Sequence, residues 1–475
     1  MPKVIGVDSS TQSCKLIIVE SETGEILSTV QSAHPDETEV DPEHWWQALQ
    51  QNMEKVDLDG VKAISIAAQQ HGMVLLGKDA EVLRPALLWN DTRSAPEAKQ
   101  LIEHFGAAEL ANRTGLVPVA SFTVTKLLWV RNHEPEIAAK VAAVALPHDW
   151  LTWRLRGYGP EGKSKHGPDL EKLTTDRSDA SGTGYFSPFT SQYDTEILSF
   201  ALGHTPIVPV VLSSDQPAGE TENGILVAAG GGDNAMAALG LGAEVGDVIV
   251  SLGTSGTVFA LTSTGSRDET GAVAGFADAS GQYLPLIATL NAARTIDSVR
   301  EFLGQSWDEF SESLLASPPG AEGMVMAPFF DGERTPNLPD ATATVAGITR
   351  STLTKDNFAR SVVEGVLANL ADGIDAIVGK TEAVRRILAI GGAAQNQAIL
   401  KVMAEIFSLP IAVPKAAEYV ALGAAAQATW AVTNGRPSWE NGERTITNPG
   451  DKSPARSQFQ KLVSDYGKKG FPTSS

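Results

Sequence analysis

Hydrophobic and polar positions along the chain follow two patterns, which predict strands and helices in turn. Short apolar runs without helical spacing, such as Lys62 to Ala68 and Arg386 to Ile390, predict buried strands. From Asp356 to Val378 the apolar residues recur at steps of three and four, which predicts an amphipathic helix. Strands that alternate with helices along one chain indicate a layered α/β fold.

One local pattern occurs twice, near the start of the chain and again past its middle. The β-rich run Val4 to Val7 is followed by the polar stretch Asp8 to Ser13 and then by the apolar run Lys15 to Val19. Similarly, Val248 to Leu252 leads into Gly253-Thr254-Ser255-Gly256 and a second β-rich run. Because a plain hairpin needs only one or two turn formers, these repeated clusters of Gly, Ser and Thr favour turns that bind a ligand.

Composition narrows the class of protein. A chain of 475 residues has room for two domains of ordinary size, and 42% hydrophobic with 20% charged residues is typical of a globular enzyme. The net charge of −20 argues against a broad nucleic-acid surface, which needs clustered Lys and Arg. No apolar run approaches the length of a membrane span. A single cysteine, Cys14, excludes an internal disulfide, so we expect a cytoplasmic protein with no nucleic-acid or membrane partner.

Two segments are predicted to lie outside the core. The stretch from Gly157 to Lys172 is rich in Gly, Pro, Lys and Glu, which predicts a solvated surface loop. The tail after Asn448 is polar, and we expect it to pack loosely. The remainder of the chain carries the alternating pattern of strands and helices.

The commonest nucleotide-binding motifs are missing. Gly373 and Gly379-Lys380-Thr381 resemble a P-loop, but five residues intervene instead of four, and the segment ends a helix rather than joining a strand to a helix. No G-x-G-x-x-G sequence follows a predicted strand. A nucleotide must then be held by other means, and the two hairpin turns could supply backbone N–H groups and hydroxyls to its phosphates without a lysine.

Asp8 is a candidate ligand for magnesium. It stands at the first hairpin turn, and a carboxylate beside phosphates is the type of group that Mg²⁺ uses, commonly through retained waters. The alternative is a turn-forming aspartate that bonds to its own backbone, as most loop aspartates do. For this residue alone, the turn-forming role is favoured.

Asp233 is a candidate general base after three glycines. Gly230 to Gly232 let a ligand approach the backbone closely, and the predicted short helix that follows offers its N-terminus to negative charge. The alternative is a plain helix N-cap, which is the commoner role of an aspartate in this position. Taken alone, Asp233 is more simply interpreted as a cap.

Two polar clusters in the first half follow predicted strands. Gln69 to Met73 comes directly after a buried strand, and Trp89 to Arg93 follows a pair of leucines. Strand ends are where α/β folds bind ligands, and these amide, imidazole, indole and carboxylate groups suit the hydroxyls of a sugar. For His71 a buried, hydrogen-bonded histidine is an equally good interpretation, and Trp89 is more often part of a core.

Taken together, these residues resemble the FGGY family of carbohydrate kinases, which has the actin/Hsp70/sugar-kinase superfold. The resemblance spans nearly the whole chain, and its motifs occur in family order, although any one alone would be weak. They are Asp8 to Ser13, Gln69 to Met73, Trp89 to Arg93, Ser178 to Thr183, Gly230 to Asn234, Ser251 to Gly256, Gly332 to Pro336 and Gly391 to Asn396.

The resemblance implies an α/β fold of two ribonuclease-H-like domains with a cleft between them, a sugar-binding domain over residues 1–240 and a nucleotide-binding domain over 241–475. It implies ATP-dependent phosphorylation of a small sugar, with Asp233 as the general base and with Mg²⁺ held by Asp8 and Asp233. Substrate contacts are predicted for Gln70, His71, Trp89, Asp91 and Asn234. Nucleotide contacts are predicted for Thr11, Gln12, Gly253, Thr254, Ser255, Gly392, Ala393 and Asn396. The family also suggests a homodimer.

Several alternatives remain open at this stage. Ser9-Ser10 stands where many relatives have glycine, which puts close backbone approach at the first turn in doubt. Within the family, the resemblance favours D-xylulose as the acceptor, with ribulose, gluconate or glycerol as alternatives. Gln69 to Met73 differs from the arginine-glutamate pattern of glycerol kinases. A nucleotide-dependent switch protein would not need Asp233 or this cluster. A catalytically inactive sugar sensor should lack the base.

Overall fold

The structure is a computed structural model that describes residues 2–379, 383–440, 442–446 and 453–472. The chain divides into two compact units, each built from several stretches. Unit 1 comprises residues 1–243, 263–284 and 417–441, and unit 2 comprises 244–262, 285–416 and 442–475. Lys380 and Thr381 of the rejected P-loop match lie outside the described residues. Within the described ranges, no helix is both long and apolar enough to cross a membrane.

The strands of the described chain alternate with helices. The strands are β1 (Lys3–Ser9), β2 (Ser13–Glu20), β3 (Ile26–Ala33), β4 (Glu39–Val40), β5 (Val61–Ala68), β6 (Val74–Leu76), β7 (Ala86–Leu87), β8 (Ala143–Ala145), β9 (Thr174–Asp176), β10 (Phe186–Ser187), β11 (Gln192–Tyr193), β12 (Val210–Leu212), β13 (Gly219–Glu220), β14 (Leu226–Val227), β15 (Gly231–Gly232), β16 (Asp247–Leu252), β17 (Gly256–Ala260), β18 (Ala274–Ala277), β19 (Tyr283–Thr289), β20 (Val325–Ala327), β21 (Thr344–Ala346), β22 (Arg386–Ile390), β23 (Ile411–Val413) and β24 (Arg444–Ile446). The helices are α1 (Pro42–Glu54), α2 (Ala95–Phe105), α3 (Ala107–Thr114), α4 (Thr123–His133), α5 (Pro135–Ala138), α6 (Pro147–Leu155), α7 (Arg177–Ala180), α8 (Thr195–Leu202), α9 (Asp233–Gly240), α10 (Ala293–Phe302), α11 (Trp307–Ala316), α12 (Lys355–Val378), α13 (Gln397–Phe407), α14 (Tyr419–Thr433) and α15 (Ala455–Lys469). The predicted α/β class is confirmed.

The sheet of unit 1 has hydrophobic layers on both faces. Its strands run in the order β13-β14-β5-β1-β2-β3, and β15 also pairs with β5. Because side chains alternate along a strand, Ile5 and Val7 of β1 face a core that includes Trp45 of α1 and Trp150 of α6, whereas Val4 packs on the other side with alanines of α14. Helix α14 approaches so closely that a Cβ at Gly6 would lie 1.9 Å from the carbonyl oxygen of Ala421.

The sheet of unit 2 repeats the central pattern of unit 1. In both units a hairpin, β1-β2 or β16-β17, pairs its first strand in parallel with a later strand, β5 or β22. The order in unit 2 continues as β19-β17-β16-β22-β23-β24. The predicted repeat, and the predicted correspondence between the strands at 62–68 and 386–390, are therefore confirmed.

The long amphipathic helix is confirmed as α12. Thr354 caps its start, since the Thr354 hydroxyl accepts the N–H of Asn357 at 3.1 Å. Val362, Val366 and Leu370, taken from the predicted apolar stripe, are buried. The spacing of three and four residues thus marks the face that packs against the rest of unit 2.

The described part of the tail packs tightly, so the prediction of loose packing is wrong there. Helix α15 places Phe459 and Leu462 in a buried cluster with Phe329, and Phe471 joins that cluster beyond the helix. The rings of Phe329 and Phe471 lie 5.3 Å apart, centroid to centroid. The apolar residues of α15 recur at helical spacing, which outweighs the polar composition of the segment. Residues 449–452 and 473–475 of the predicted tail lie outside the described ranges.

The loop prediction for Gly157 to Lys172 is confirmed for most of its length. Residues 161–163 are exposed, and turns connect them. The end of the segment is anchored instead, because Leu170 is buried and the Trp153 indole N–H donates to the carbonyl of Asp169 at 3.0 Å.

Candidate active site

Three parallel strands of unit 1 end side by side and bring together residues that the sequence placed far apart. Strand β5 lies between β1 and β15, so that Ala67 pairs with Asp8 on one side and with Gly231 on the other. Gln70 follows the end of β5, and Asp233 follows the end of β15. Since the carboxyl ends of parallel strands meet at one edge, the predicted base, metal ligand and sugar contact share that edge.

Asp233 is the first residue of helix α9, and it does not cap the helix. The N-cap is Gly232, which has no capping side chain, so the N-cap interpretation of Asp233 is wrong. Its Oδ1 instead accepts two hydrogen bonds from Asn234, at 2.7 Å from the backbone N–H and 2.9 Å from the side-chain amide. Burial, with a contribution from the charge of Asp8, raises the pKa of Asp233 to about 7. A carboxyl group that titrates near neutrality is well suited to act as a general base.

Asp8 belongs to strand β1 and not to the hairpin turn, which spans residues 10–12. Its backbone is held on both sides by the sheet, where it pairs with Lys15 and Ala67. The turn-forming interpretation is therefore wrong. Burial raises the pKa of Asp8 to about 7, although Lys15 opposes this rise. The Oδ1 atom of Asp8 is buried and has no hydrogen-bond partner among the described residues.

Gln70 and Asn234 link the end of β5 to the start of α9. The Asn234 side-chain amide donates to Gln70 Oε1 at 3.4 Å as well as to Asp233. Gln70 also lies against the glycine turn, because a Cβ at Gly232 would be 2.7 Å from Gln70 Nε2. Two predicted substrate contacts therefore adjoin the predicted base.

Trp89 is partly exposed and connects the first hairpin turn to the cluster after β5. Its indole is 36% exposed, so the core interpretation is wrong. The indole N–H donates to the Thr11 hydroxyl at 2.9 Å, and that hydroxyl donates to Gln69 Oε1 at 3.2 Å. Gln12 is exposed in the same turn. The structure thus joins one predicted phosphate-binding turn to the predicted sugar cluster.

His71 is a buried, hydrogen-bonded histidine, which confirms the structural interpretation of this residue. Its Nδ1 lies 2.8 Å from the carbonyl oxygen of Gly182, and its ring packs against Phe122 and Phe276. Its backbone is in the left-handed region, with φ of 69°. A contact between His71 and a sugar stays a prediction.

Asp91 is engaged within its own loop. Its Oδ1 accepts the Nε–H of Arg93 at 2.9 Å, and its Oδ2 accepts the Thr38 hydroxyl at 3.1 Å. Burial raises the pKa of Asp91, but these hydrogen bonds outweigh burial and hold it below its usual value. The carboxylate therefore organises the segment after Trp89, and its predicted sugar contact is not tested by these bonds.

In unit 2 the second hairpin turn presents exposed small residues. Thr254 and Ser255 are exposed between β16 and β17. The turn is tied to the start of α10, since the carbonyls of Gly253 and Thr254 accept the N–H groups of Ala293 and Arg294 at 3.0 and 3.4 Å. Turns of this type bind anions through backbone N–H groups and hydroxyls.

The predicted adenosine loop lies beside that turn. Strand β22 pairs in parallel with β16, which places Ile390 opposite Ser251. Gly391, with φ of 93°, then turns over the end of β16, where an added Cβ would be 2.6 Å from the Leu252 carbonyl. The next residues, Gly392 and Ala393, therefore follow the phosphate turn closely.

Asn396 has a structural role at the end of this loop. Its Oδ1 caps helix α13 by accepting the N–H of Ala398 at 2.9 Å, and its Nδ2 donates to the Ser311 hydroxyl at 2.9 Å. The N-cap orients the helix start next to the loop. Its predicted contact with the nucleotide remains a prediction.

Family comparisons agree with this arrangement. The model of the N-terminal domain of the FGGY family of carbohydrate kinases matches residues 3–240, and that of the C-terminal domain matches residues 248–432. The chain belongs to the FGGY family of carbohydrate kinases. It is therefore an enzyme of the phosphotransferase class with an alcohol group as acceptor.

Several relatives of this FGGY kinase are named for one substrate. The xylulose kinase of Streptomyces rubiginosus is 42% identical over 92% of this chain and 89% of its own length. The xylulose kinase of Escherichia coli is 32% identical over 85% of this chain and 84% of its own length. The crystal structure of xylulose kinase from Bifidobacterium adolescentis has 42% identity and a TM-score of 0.91, and the match covers 97% of this chain and 99% of that one.

The carboxyl edge of unit 1 has the chemistry of a magnesium site. Asp8 and Asp233 are carboxylates whose pKa burial raises, and Asp8 Oδ1 has no partner among the described residues. Lys15 does not neutralise them fully, because it forms an ion pair with Glu418. Carboxylate oxygens are the ligands that Mg²⁺ prefers, so the residues of this FGGY kinase fit the ion.

Two residues that hold the glycine turn were not predicted from the sequence. The Gln427 side chain bonds both the N–H and the carbonyl of Gly230, each at 2.8 Å, and the Ser178 hydroxyl accepts the N–H of Gly232 at 3.2 Å. Ser178 belongs to one of the family motifs, Ser178 to Thr183, for which no role was predicted. Gln427 lies in the alanine-rich helix α14, and nothing in its local pattern marks it.

Proposed function

We propose that this FGGY kinase transfers the γ-phosphate of ATP to the 5-hydroxyl of D-xylulose, with D-xylulose 5-phosphate and ADP as products. The xylulose kinases described above, at up to 42% identity over 92% of the chain, support this substrate. The chemistry is supported by Asp233, a carboxyl with a pKa near 7 that adjoins Gln70 and Asn234.

In this mechanism Asp233 accepts the proton of the attacking hydroxyl. The sugar oxygen forms a bond to the γ-phosphorus as the bond from that phosphorus to the β-γ bridging oxygen breaks, and ADP leaves with the electron pair. Both hydrogen bonds from Asn234 fall on Oδ1 of Asp233, so Oδ2 is the oxygen that takes the proton. Above pH about 7 the carboxylate is ionised and ready for this step.

Positioning and charge stabilisation supply most of the remaining catalysis in phosphoryl transfer. Asp8 and Asp233 would hold Mg²⁺, which when bound neutralises charge on the phosphates. The turns at residues 10–12 and 253–255 would hold phosphate oxygens, with Thr11, Gln12, Thr254 and Ser255 as donors. Gly392, Ala393 and Asn396 would line the adenosine site, and Gln70, His71, Trp89, Asp91 and Asn234 would bind the sugar. In this scheme residues 1–240 serve the sugar and residues 241–475 serve ATP.

The proposal is tested with a coupled ADP-release assay over a panel of D-xylulose, D-ribulose, gluconate and glycerol at saturating ATP and Mg²⁺. We expect the highest kcat/KM for D-xylulose. A higher value for another acceptor would replace the substrate and leave the kinase chemistry intact. ADP release that no acceptor stimulates would favour a switch protein or a sensor instead.

Two further properties remain proposals about the protein in its cell. We expect the chain to act in the cytoplasm, where ATP is the available donor, and its buried free thiol, Cys14, is compatible with a reducing compartment. We also expect the homodimer that the family suggests. Sedimentation equilibrium at micromolar concentration distinguishes a dimer from a monomer.

A further inference from the structure

Gly230, the first glycine of the turn before Asp233, has both its backbone N–H and its carbonyl bonded by one side chain. Gln427 Oε1 accepts the Gly230 N–H, and Gln427 Nε2 donates to the Gly230 carbonyl, each at 2.8 Å. Ser65 on β5 donates to the same Oε1 at 2.6 Å, which fixes the orientation of the amide. All three residues are buried, and Gln427 and Ser65 have no measurable exposure. A paired amide of this kind restrains the backbone more than a single bond does.

His148 closes on Gly230 from another side. A Cβ at Gly230 would lie 2.4 Å from His148 Cδ2, so the ring occupies the space that any other residue would need. Gly230 also has φ of 83°, which favours glycine independently. The position is therefore restricted both by its backbone conformation and by the imidazole.

The His148 ring is hydrogen-bonded at Nδ1, whereas its Nε2 faces a second carboxyl group without a hydrogen bond to any described residue. Its Nδ1 lies 2.6 Å from Asp179 Oδ2, and its Nε2 lies 3.3 Å from Asp149 Oδ1. Burial lowers the pKa of His148, but the charges of Asp149 and Asp179 outweigh burial and raise it to about 9. The ring therefore lies between two carboxyl groups, and its hydrogen bond with Asp179 sets its orientation.

These contacts have no direct part in the chemistry of the proposed site. They fix the backbone of the turn that leads to Asp233, the proposed base. Gly230 precedes Asp233 by three residues, and the N–H of Gly232 is held by Ser178 on α7, the helix that also carries Asp179. From these contacts we infer that Gln427 and His148 act together as a clamp on Gly230, which positions Asp233 for proton transfer. They are positioning residues, because they touch the turn and not the reacting atoms.

The consequence for catalysis follows from the sensitivity of proton transfer to distance. A displacement of about 1 Å in a catalytic group costs on the order of 100-fold in rate. Loss of the clamp should lower kcat, since the base is misplaced. It should leave the KM for ATP nearly unchanged, because neither residue is among the predicted ATP contacts, which are Thr11, Gln12, Gly253, Thr254, Ser255, Gly392, Ala393 and Asn396. If the role of the two residues were purely structural, their loss would lower the melting temperature without lowering kcat at an unchanged KM for ATP.

The test uses Gln427→Met, which keeps the length of the side chain and removes both hydrogen bonds to Gly230. It also uses His148→Gln and the double variant. With the acceptor that the wild type uses fastest, we expect each single variant to lose about tenfold or more in kcat, with the KM for ATP within about twofold. The two losses should not multiply in the double variant, since both residues hold one glycine. Fully multiplicative losses would overturn the shared clamp.

Matched controls come from the same helices. Thr429→Val on α14 removes a hydroxyl that bonds within its own helix, and Thr152→Val lies one turn from His148 on α6. Both should keep wild-type kcat. If Gln427→Met does not fold, Gln427→Asn withdraws the amide by one methylene and takes its place.

Hydrogen exchange of peptides that contain residues 230–234 gives a readout that needs no substrate. Exchange should be faster in both clamp variants and unchanged in the two controls. This inference rests on the proposed function only for the kinetic measurement: if D-xylulose is not phosphorylated, the function fails while the exchange result still tests the clamp. Folded variants with wild-type exchange and kcat within twofold of the wild type would overturn it.

Discussion

Asp8 and Asp233 are coupled through their charges at one edge of the unit 1 sheet. The charge of Asp8 adds to burial in raising the pKa of Asp233 to about 7. Because a protonated Asp233 cannot accept the proton of the sugar hydroxyl, kcat/KM should fall about tenfold per unit as pH drops below about 7. In Asp8→Asn the residual activity should show this inflection at lower pH. A flat profile from pH about 5.5 to 8 would argue against Asp233 as the titrating base.

Magnesium should stabilise the protein more at high pH than at low pH. The pKa values of Asp8 and Asp233 are higher in the folded state than in the unfolded state. Their contribution to the free energy of unfolding is therefore fully present below about pH 4 and is lost as pH rises through about 7. At pH above about 7, bound Mg²⁺ would offset the negative charge of the two ionised carboxylates. We expect Mg²⁺ to raise Tm by more at pH 8 than at pH 6, as measured by scanning calorimetry. An equal shift at both values, or a full shift in Asp8→Asn, would contradict the assignment.

In unit 2, Asp247 is a buried anchor at the start of β16. Its carboxylate accepts hydrogen bonds from Arg385 at 2.6 and 2.7 Å and from Arg386 at 3.1 and 3.2 Å. Burial opposes ionisation, but these bonds hold the pKa of Asp247 below its usual value. The contribution of Asp247 to stability is therefore present above the pKa of the unfolded state, and it is lost as pH falls through the pKa of the folded state. Asp247→Asn should lower the free energy of unfolding by about 2 kcal/mol at pH 7, measured by urea denaturation. The exposed Asp215→Asn is the control and should change it little.

The tail helix should be required for the stability of unit 2. Phe459 is 2% exposed and packs on Phe329 with the ring centroids 6.3 Å apart. Phe459→Ala leaves a cavity and should cost about 3 to 4 kcal/mol in the free energy of unfolding, measured by urea denaturation. The side chain of Lys461 on the same helix is 80% exposed, so Lys461→Ala should be nearly neutral. Equal effects of the two changes would show that α15 is not part of the core.

Local periodicity explains which parts of the fold could be predicted from the sequence. The two hairpins and α12 were predictable, because strand and helix spacings are properties of neighbouring residues. The same helical spacing, at Ala455, Phe459 and Leu462, indicates the buried face of α15, although the segment is polar in composition.

The candidate site was predictable only in part, since its contacts join distant segments. Asp8, Gln70 and Asp233 were named as candidates, but their common edge depends on the pairing of β1 and β15 with β5, which no local pattern encodes. The contact of Gln427 with Gly230 spans 197 positions along the chain. The roles of Asp8 and Asp233 depend on where β1 ends and on which residue caps α9, and neither boundary is encoded in the local pattern.

A single substitution at Asp233 separates the general-base role from a structural one. Asp233→Asn keeps the size of the side chain and removes the proton acceptor, so turnover of D-xylulose at saturating ATP and Mg²⁺ should fall by at least about 100-fold. Thermal unfolding should remain close to that of the wild type, and Asp215→Asn serves as the control for a change of one charge. Turnover of Asp233→Asn within a few fold of the wild type would show that Asp233 is not the general base.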